Sequence, residues 1–248
     1  MDRGCNFMGS VKLGLLSAAL VAGLALPAKA DDTKLTLTGS ATITTDYMFR
    51  SISNTNQEPA AQPEFDLTYG MFYAYIWGSN TAFGDGIELD YGIGITPKWK
   101  NITFNIAGLY YTYPGDNENI SYFELKTGAS WTGGAWTLAV NNYWSPDNFQ
   151  FFGDSNAIEG TVGYALGHKW WNFFSPSLSG TVGFQSYDKN AADYTYWNAG
   201  LTLGFLDHWS ADIRYYDTDY NDAQCLQQQG LDQHACDARA VGTIKATF

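Results

Sequence analysis

After its first thirty residues the chain has no long hydrophobic run. A membrane-crossing helix needs about 20 consecutive apolar residues, so any crossing by the rest of the chain falls to strands. Charge is also scarce. Asp, Glu, Lys and Arg make up 15% of the chain, and the formal net charge is −12. With acids in excess and no basic stripe, nucleic acid is not expected as a partner. Histidine occurs only three times, at His168, His208 and His234. His208 adjoins Asp207, but neighbours on a strand point to opposite faces. No nucleophile–base pair can be nominated, so no catalytic residue, no enzyme activity and no cofactor are expected. Asp217-Thr218-Asp219-Tyr220-Asn221-Asp222 has oxygen donors at alternate positions, like half of a calcium loop. It lacks the turn glycine and the distal glutamate, and it reads as a solvated loop without a metal.

Cysteine is limited to three residues. Cys5 lies in a segment that reads as a secretory signal. Arg3 and Lys12 are its positive region, Leu13 to Leu26 its apolar region, and Ala28-Lys29-Ala30 its cleavage site before Asp31. The expected division is a removed signal at 1–30 and one domain at 31–248. Subtracting the signal's three bases and one acid leaves a formal charge of −14. Cys225 and Cys236 then remain, and an exported pair is expected to close as a disulfide.

What the chain does have is alternation. Leu35, Leu37, Gly39, Ala41 and Ile43 interleave with Thr36, Thr38, Ser40, Thr42 and Thr44. A period of two is the side-chain period of a strand. The same pattern recurs to Ala240, Gly242, Ile244, Ala246 and Phe248, each time over about the 9–11 residues of a tilted membrane strand. Mean hydropathy is only −0.23, as expected when lipid-facing and lumen-facing residues take turns. The expected fold is all-β, a transmembrane antiparallel barrel of the outer-membrane type. Eleven segments can be traced, with Phe65, Leu67, Tyr69, Met71, Tyr73, Tyr75 and Trp77 read as one face. Single-chain bacterial barrels have even numbers, and the alternation breaks near residues 46–86. Twelve strands are therefore expected, with ten as the second choice.

Aromatics, at 17%, help to orient the barrel. Tyr73, Tyr75, Trp77, Trp131, Trp136, Trp144, Trp197 and Trp209 read as a lipid-interface girdle on the outer face. The opposite set carries Arg50, Glu64, Asp66, Glu88, Asp90, Glu124, Lys126, Glu159, Asp212 and Arg214, with Arg239 and Lys245, as candidate pore-lining residues. Acids predominate, which favours cations. At ten to twelve strands these charges could line a hole or pair up and plug it.

Several motifs add a resemblance. Thr45-Asp46-Tyr47-Met48-Phe49-Arg50-Ser51-Ile52-Ser53, Trp77-Gly78-Ser79-Asn80, Phe83-Gly84-Asp85-Gly86, Glu88-Leu89-Asp90-Tyr91 and Tyr111-Thr112-Tyr113-Pro114-Gly115 stand in that order. Cys236-Asp237-Ala238-Arg239 leads into the last strand. Together they resemble a TorF-like family of proteobacterial porin-like proteins, across nearly all of the mature chain. That family often has Gly where Ser51 stands, and a more apolar last strand than Val241-Gly242-Thr243-Ile244-Lys245. The resemblance implies an outer-membrane barrel and brings no catalytic residues. The final Phe248, with alternate apolar residues before it, resembles the signal read by the barrel-assembly machinery. The expected function is a porin-like protein passing small hydrophilic solutes and favouring cations. The alternative is a closed structural or binding barrel whose external loops meet partners. Expected surroundings are outer-membrane lipid and lipopolysaccharide in the outer membrane of a Gram-negative bacterium, reached through the periplasm.

Overall fold

A computed structural model describes residues 34–116, 120–167, 169–171, 173–229 and 232–248. The expected signal segment and its cleavage site lie outside the described residues, as does His168. The strands run in chain order as β1 (Thr36–Thr44), β2 (Met48–Phe49), β3 (Ile52–Ser53), β4 (Ala60–Tyr69), β5 (Phe72–Asn80), β6 (Ile87–Ile95) and β7 (Lys98–Trp99). Then follow β8 (Ile102–Thr112), β9 (Tyr122–Gly133), β10 (Trp136–Ser145), β11 (Ser155–Ala165), β12 (Ser175–Tyr187), β13 (Tyr194–Phe205) and β14 (Trp209–Thr218). A helix, α1 (Asp222–Gln229), precedes the last strand, β15 (Arg239–Thr247).

The twelve long strands form a closed antiparallel barrel. Each pairs with its neighbours in order, β6 meets β8, and β1 meets β15 to close the ring. Closure leaves no unpaired strand edge along the wall. Strand β7 is a two-residue addition to β8, and β2 and β3 form a separate hairpin. At one end, which also holds Phe248, the connections include tight turns such as Gly70–Met71 and Gly134–Ala135. At the other end lie longer loops, among them the one carrying α1. The two are called here the turn end and the loop end.

The outer face is apolar: Ile93 and Ile213 are 70% and 61% exposed. Inward residues between them are buried, and they are largely Ser, Thr, Tyr and charged side chains. This reverses a soluble barrel's arrangement and matches a lipid-facing wall.

One part of the expected parse needs correction. The run from Phe65 to Trp77 is two strands joined by the turn at Gly70–Met71, with Tyr69 opposite Phe72. Gly70 takes the left-handed conformation there, φ 59°, as a tight hairpin requires. The turn shifts the alternation by one. Phe65 and Leu67 face outward, and so does Ile76, whereas Tyr73, Tyr75 and Trp77 pair with Thr68, Asp66 and Glu64 and point inward. They are not girdle residues. The Tyr75 ring covers Gly92, where a Cβ would overlap it, and the Trp77 ring sits 5.3 Å from buried Tyr47. The split also supplies the strand missing from a count of eleven. The other five girdle candidates, Trp131, Trp136, Trp144, Trp197 and Trp209, are exposed on the outer face.

The seam between β1 and β15 is closed by the chain end. Gly39 and Phe248 exchange both backbone hydrogen bonds, at 2.8 and 2.9 Å. The Phe248 ring lies where a Cβ on Gly39 would be, so only glycine permits this approach.

Candidate functional site: the barrel lumen

The loop-end half of the lumen is filled by the hairpin β2–β3. Its turn is Arg50-Ser51, both left-handed, at φ 48° and 61°. This is the backbone of a two-residue hairpin turn, where glycine is favoured. Ser51 offsets part of the strain by donating Oγ to the Trp197 carbonyl at 3.0 Å. The hairpin is clamped at its base. Ser53 and Thr55 both donate to Asp46 Oδ1, at 2.7 and 2.9 Å, and Arg239 pairs with Asp46 Oδ2 at 3.0 Å. The Cys225–Cys236 disulfide, with Cα atoms 5.9 Å apart, packs against Ile52 together with Ala235, Tyr194 and Tyr196. Ser53 N–H donates to the Ala235 carbonyl at 2.8 Å. The disulfide loop thus lies against the hairpin.

Arg50 is carried by this hairpin into the barrel wall's charges. Its guanidinium donates to Glu124 Oε2 at 2.9 Å and to Gln185 Oε1 at 2.7 Å. The faces of Phe49 and Tyr143 lie 4.7 and 5.0 Å from its carbon. Around it, tyrosines hold the acids: Tyr113 donates to Glu88 at 3.1 Å, Tyr111 to Glu124 at 3.0 Å, and Tyr196 to Glu159 at 2.8 Å. Burial, and then the charge of Glu88, pushes the Tyr113 phenol well up, so it stays a neutral donor. The same causes act on Tyr47, just past β1. Even so, Glu88 Oε2, Asp90 Oδ1 and Glu124 Oε1 are buried without a hydrogen-bond partner.

Toward the turn end many inner residues are small, including Gly94, Gly128, Ser177, Ser179 and Gly200, and the rings of Tyr73 and Tyr75 lie over Gly94 and Gly92. Two ion pairs form here. Lys245 meets Glu64 at 3.3 Å, with both side chains partly exposed. Arg214, 1% exposed, is bonded to Asp212 at 3.2 and 3.3 Å, to Asn198 at 2.9 Å and to Ser179 Oγ at 2.8 Å. Asp66 lies on β4 facing Tyr75. Lys126 lies beside the Tyr143 ring at 5.3 Å. The ten candidates from Arg50 to Arg214 therefore point into the interior, nine from the wall and Arg50 from the hairpin, while Arg239 and Lys245 pair with Asp46 and Glu64.

Above the hairpin, the loops enclose a cavity of about 870 Å³ that opens outward. Phe83, Asp85, Tyr113, Asp116 and Phe149 form part of its wall, and Phe49 and Arg50 part of its floor. Tyr111, Tyr113, Tyr143, Tyr194, Tyr196 and Gln185 are functional neighbours that a reading of apolar runs passes over. The strand register contained the signal. Each stands in the inward set, where an aromatic or amide must find a lumen partner.

The loop Asp217 to Asp222 shows no metal arrangement. Among the described residues, no group of three or more His, Cys, Asp or Glu is placed to hold a metal ion.

Comparison with solved structures agrees on the barrel. The KdgM porin, described in complex with disordered oligogalacturonate, superposes with a TM-score of 0.57 at 5% identity, covering 86% of this chain and 99% of its own. A porin refined at 1.8 Å gives 0.42 at 11% identity, with 87% and 100% coverage. An active-site mutant of outer-membrane phospholipase A from Escherichia coli gives 0.47 at 12% identity, with 84% and 89% coverage. At 5% identity the likeness to the KdgM porin is one of fold. No curated protein matches the sequence. The TorF-like label finds no counterpart in these comparisons. The profile of a bacterial protein family of unknown function, Gcw_chp, matches residues 28–248, and the chain belongs to that family.

Proposed function

We propose that the chain is an outer-membrane porin-like protein that lets small hydrophilic solutes diffuse passively and favours cations. The observation that carries this reading is the lumen itself. Its turn-end half carries many small residues beside the inward rings of Tyr73 and Tyr75, and its inward acids (Glu64, Asp66, Glu88, Asp90, Glu124, Glu159 and Asp212) outnumber the bases Arg50, Lys126, Arg214 and Lys245. An acidic lining raises the local concentration of cations. An anionic ligand such as the oligogalacturonate of KdgM does not suit this lining. No catalysis is part of the reading. The loop end would face outward and the turn end the periplasm, as in barrels of this type. Lipid and lipopolysaccharide would surround the wall. The barrel-assembly machinery would insert it after export, reading the strand that ends on Phe248. Liposome swelling tests the pore: reconstituted protein should admit small neutral sugars, and swelling no faster than that of empty liposomes would contradict it.

A second reading has its own observation. The hairpin β2–β3 fills the loop-end lumen, as it would in a closed barrel that binds partners with its loops. The two differ in what Arg50→Ala does. In a porin, removing the tether widens the path and raises the swelling rate. In a closed barrel both proteins leave the liposomes tight.

A further inference from the structure

Arg50 is held as a ligand would be. Its backbone belongs to the hairpin, but most of what contacts its guanidinium belongs to the wall: Glu124 on β9, Tyr143 on β10 and Gln185 on β12. These three are 1%, 5% and 0% exposed. The site provides a carboxylate, an amide oxygen and a ring face around one planar cation. Flat delocalised cations are recognised in this way, through forked hydrogen bonds and stacking.

The wall offers more acceptors than Arg50 uses. Glu124 Oε1, Glu88 Oε2 and Asp90 Oδ1 are buried and unpartnered. They lie on β6 and β9, either side of β8, where Asp90 is in register with Tyr111 and Tyr111 with Tyr122. Surplus acceptors call for a ligand rich in N–H donors. They exclude an anion, and the absence of a metal cluster among the described residues speaks against a bare metal ion. The outward cavity of about 870 Å³ has Arg50 in its lining but not Glu124, Tyr143 or Gln185, so a solute from outside meets Arg50 first and reaches these groups where Arg50 is removed.

We propose that the loop-end wall of the lumen is a binding site for guanidinium-bearing organic cations, and that Arg50 fills it as a tethered surrogate. The site does not depend on conduction, so it can be tested apart from the porin reading. The probe is methylguanidinium chloride at millimolar concentration, titrated calorimetrically into the full-length barrel in detergent. Sodium and tetramethylammonium chlorides at equal ionic strength are the controls. Arg50→Ala should show saturable binding that the controls do not give. Wild type, with the site filled, should bind at least tenfold more weakly. Arg50→Ala combined with Glu124→Gln should lose the binding. No saturable heat in Arg50→Ala, or undiminished heat in the double variant, would overturn the proposal. Should Arg50→Ala fail to assemble, its refolding yield is measured with and without methylguanidinium. A yield raised by methylguanidinium alone supports the site, and equal yields overturn it.

Discussion

Single residues decide which face of the wall is wet. Ile213 and Asp212 are neighbours on β14 with opposite fates, one 61% and the other 6% exposed. An arginine at mid-membrane on the lipid face costs about 2–4 kcal/mol. Ile213→Arg should therefore lower the yield of heat-resistant folded barrel on gels, while Asp212→Asn, which gives up an acceptor to Arg214 or Thr202 but leaves the lipid face unchanged, should still assemble. Equal yields would contradict the face assignment. Ser51 is a second case. A non-glycine residue in left-handed backbone costs about 1–2 kcal/mol, and a hydrogen bond returns about 1 kcal/mol. Ser51→Gly should thus leave the urea midpoint nearly unchanged. Ser51→Val, with a branched side chain and no hydroxyl, should lower it. The nine inward charges of the wall were legible in the sequence at this scale, because each occupies the polar register of its strand; Arg50, in a turn, has no such register. The inward turn of Tyr73, Tyr75 and Trp77 was not. Alternation carries no marker at a two-residue turn other than Gly70, and aromatic residues suit both a girdle and a packed lumen.

At the scale of elements, the hairpin β2–β3 and the disulfide loop act together. The sequence points to the disulfide through compartment and pairing, but not to what it touches. Its partner, the hairpin, lies some 175 residues away, and only the closure of β1 against β15 brings the two together. Cross-linking a loop this short contributes about 2–3 kcal/mol by chain entropy. Cys225→Ser with Cys236→Ser should therefore speed hydrogen exchange at Ser53 N–H, whose acceptor is Ala235, while amides of β9 to β12 keep their protection. Uniform loss of protection would contradict a local role. The strand count follows the same logic. The long apolar stretch before Gly78 could be divided only by pairing Tyr69 with Phe72.

For the whole molecule, closure is the organising fact. An apolar exterior and eleven of the twelve strands are legible from period and length, because each strand must satisfy lipid on one side and the lumen on the other; the twelfth follows only from the even strand number of such barrels. The contents of the lumen are less legible, since they depend on which loop folds inward. Closure also makes a seam prediction. Gly39→Val would thrust a branched side chain into the Phe248 ring, and the folded fraction after refolding into detergent should fall. Yields equal to wild type would show that the ring moves aside freely.

Ion selectivity tests a cation-favouring pore most directly. Purified protein in a planar bilayer, under a potassium chloride gradient, should show discrete conductance steps. Its reversal potential should lie on the potassium side of zero, and Asp90→Asn with Glu159→Gln should move that potential toward zero. A reversal potential on the chloride side, or no conductance steps from clean protein, would contradict a cation-favouring pore.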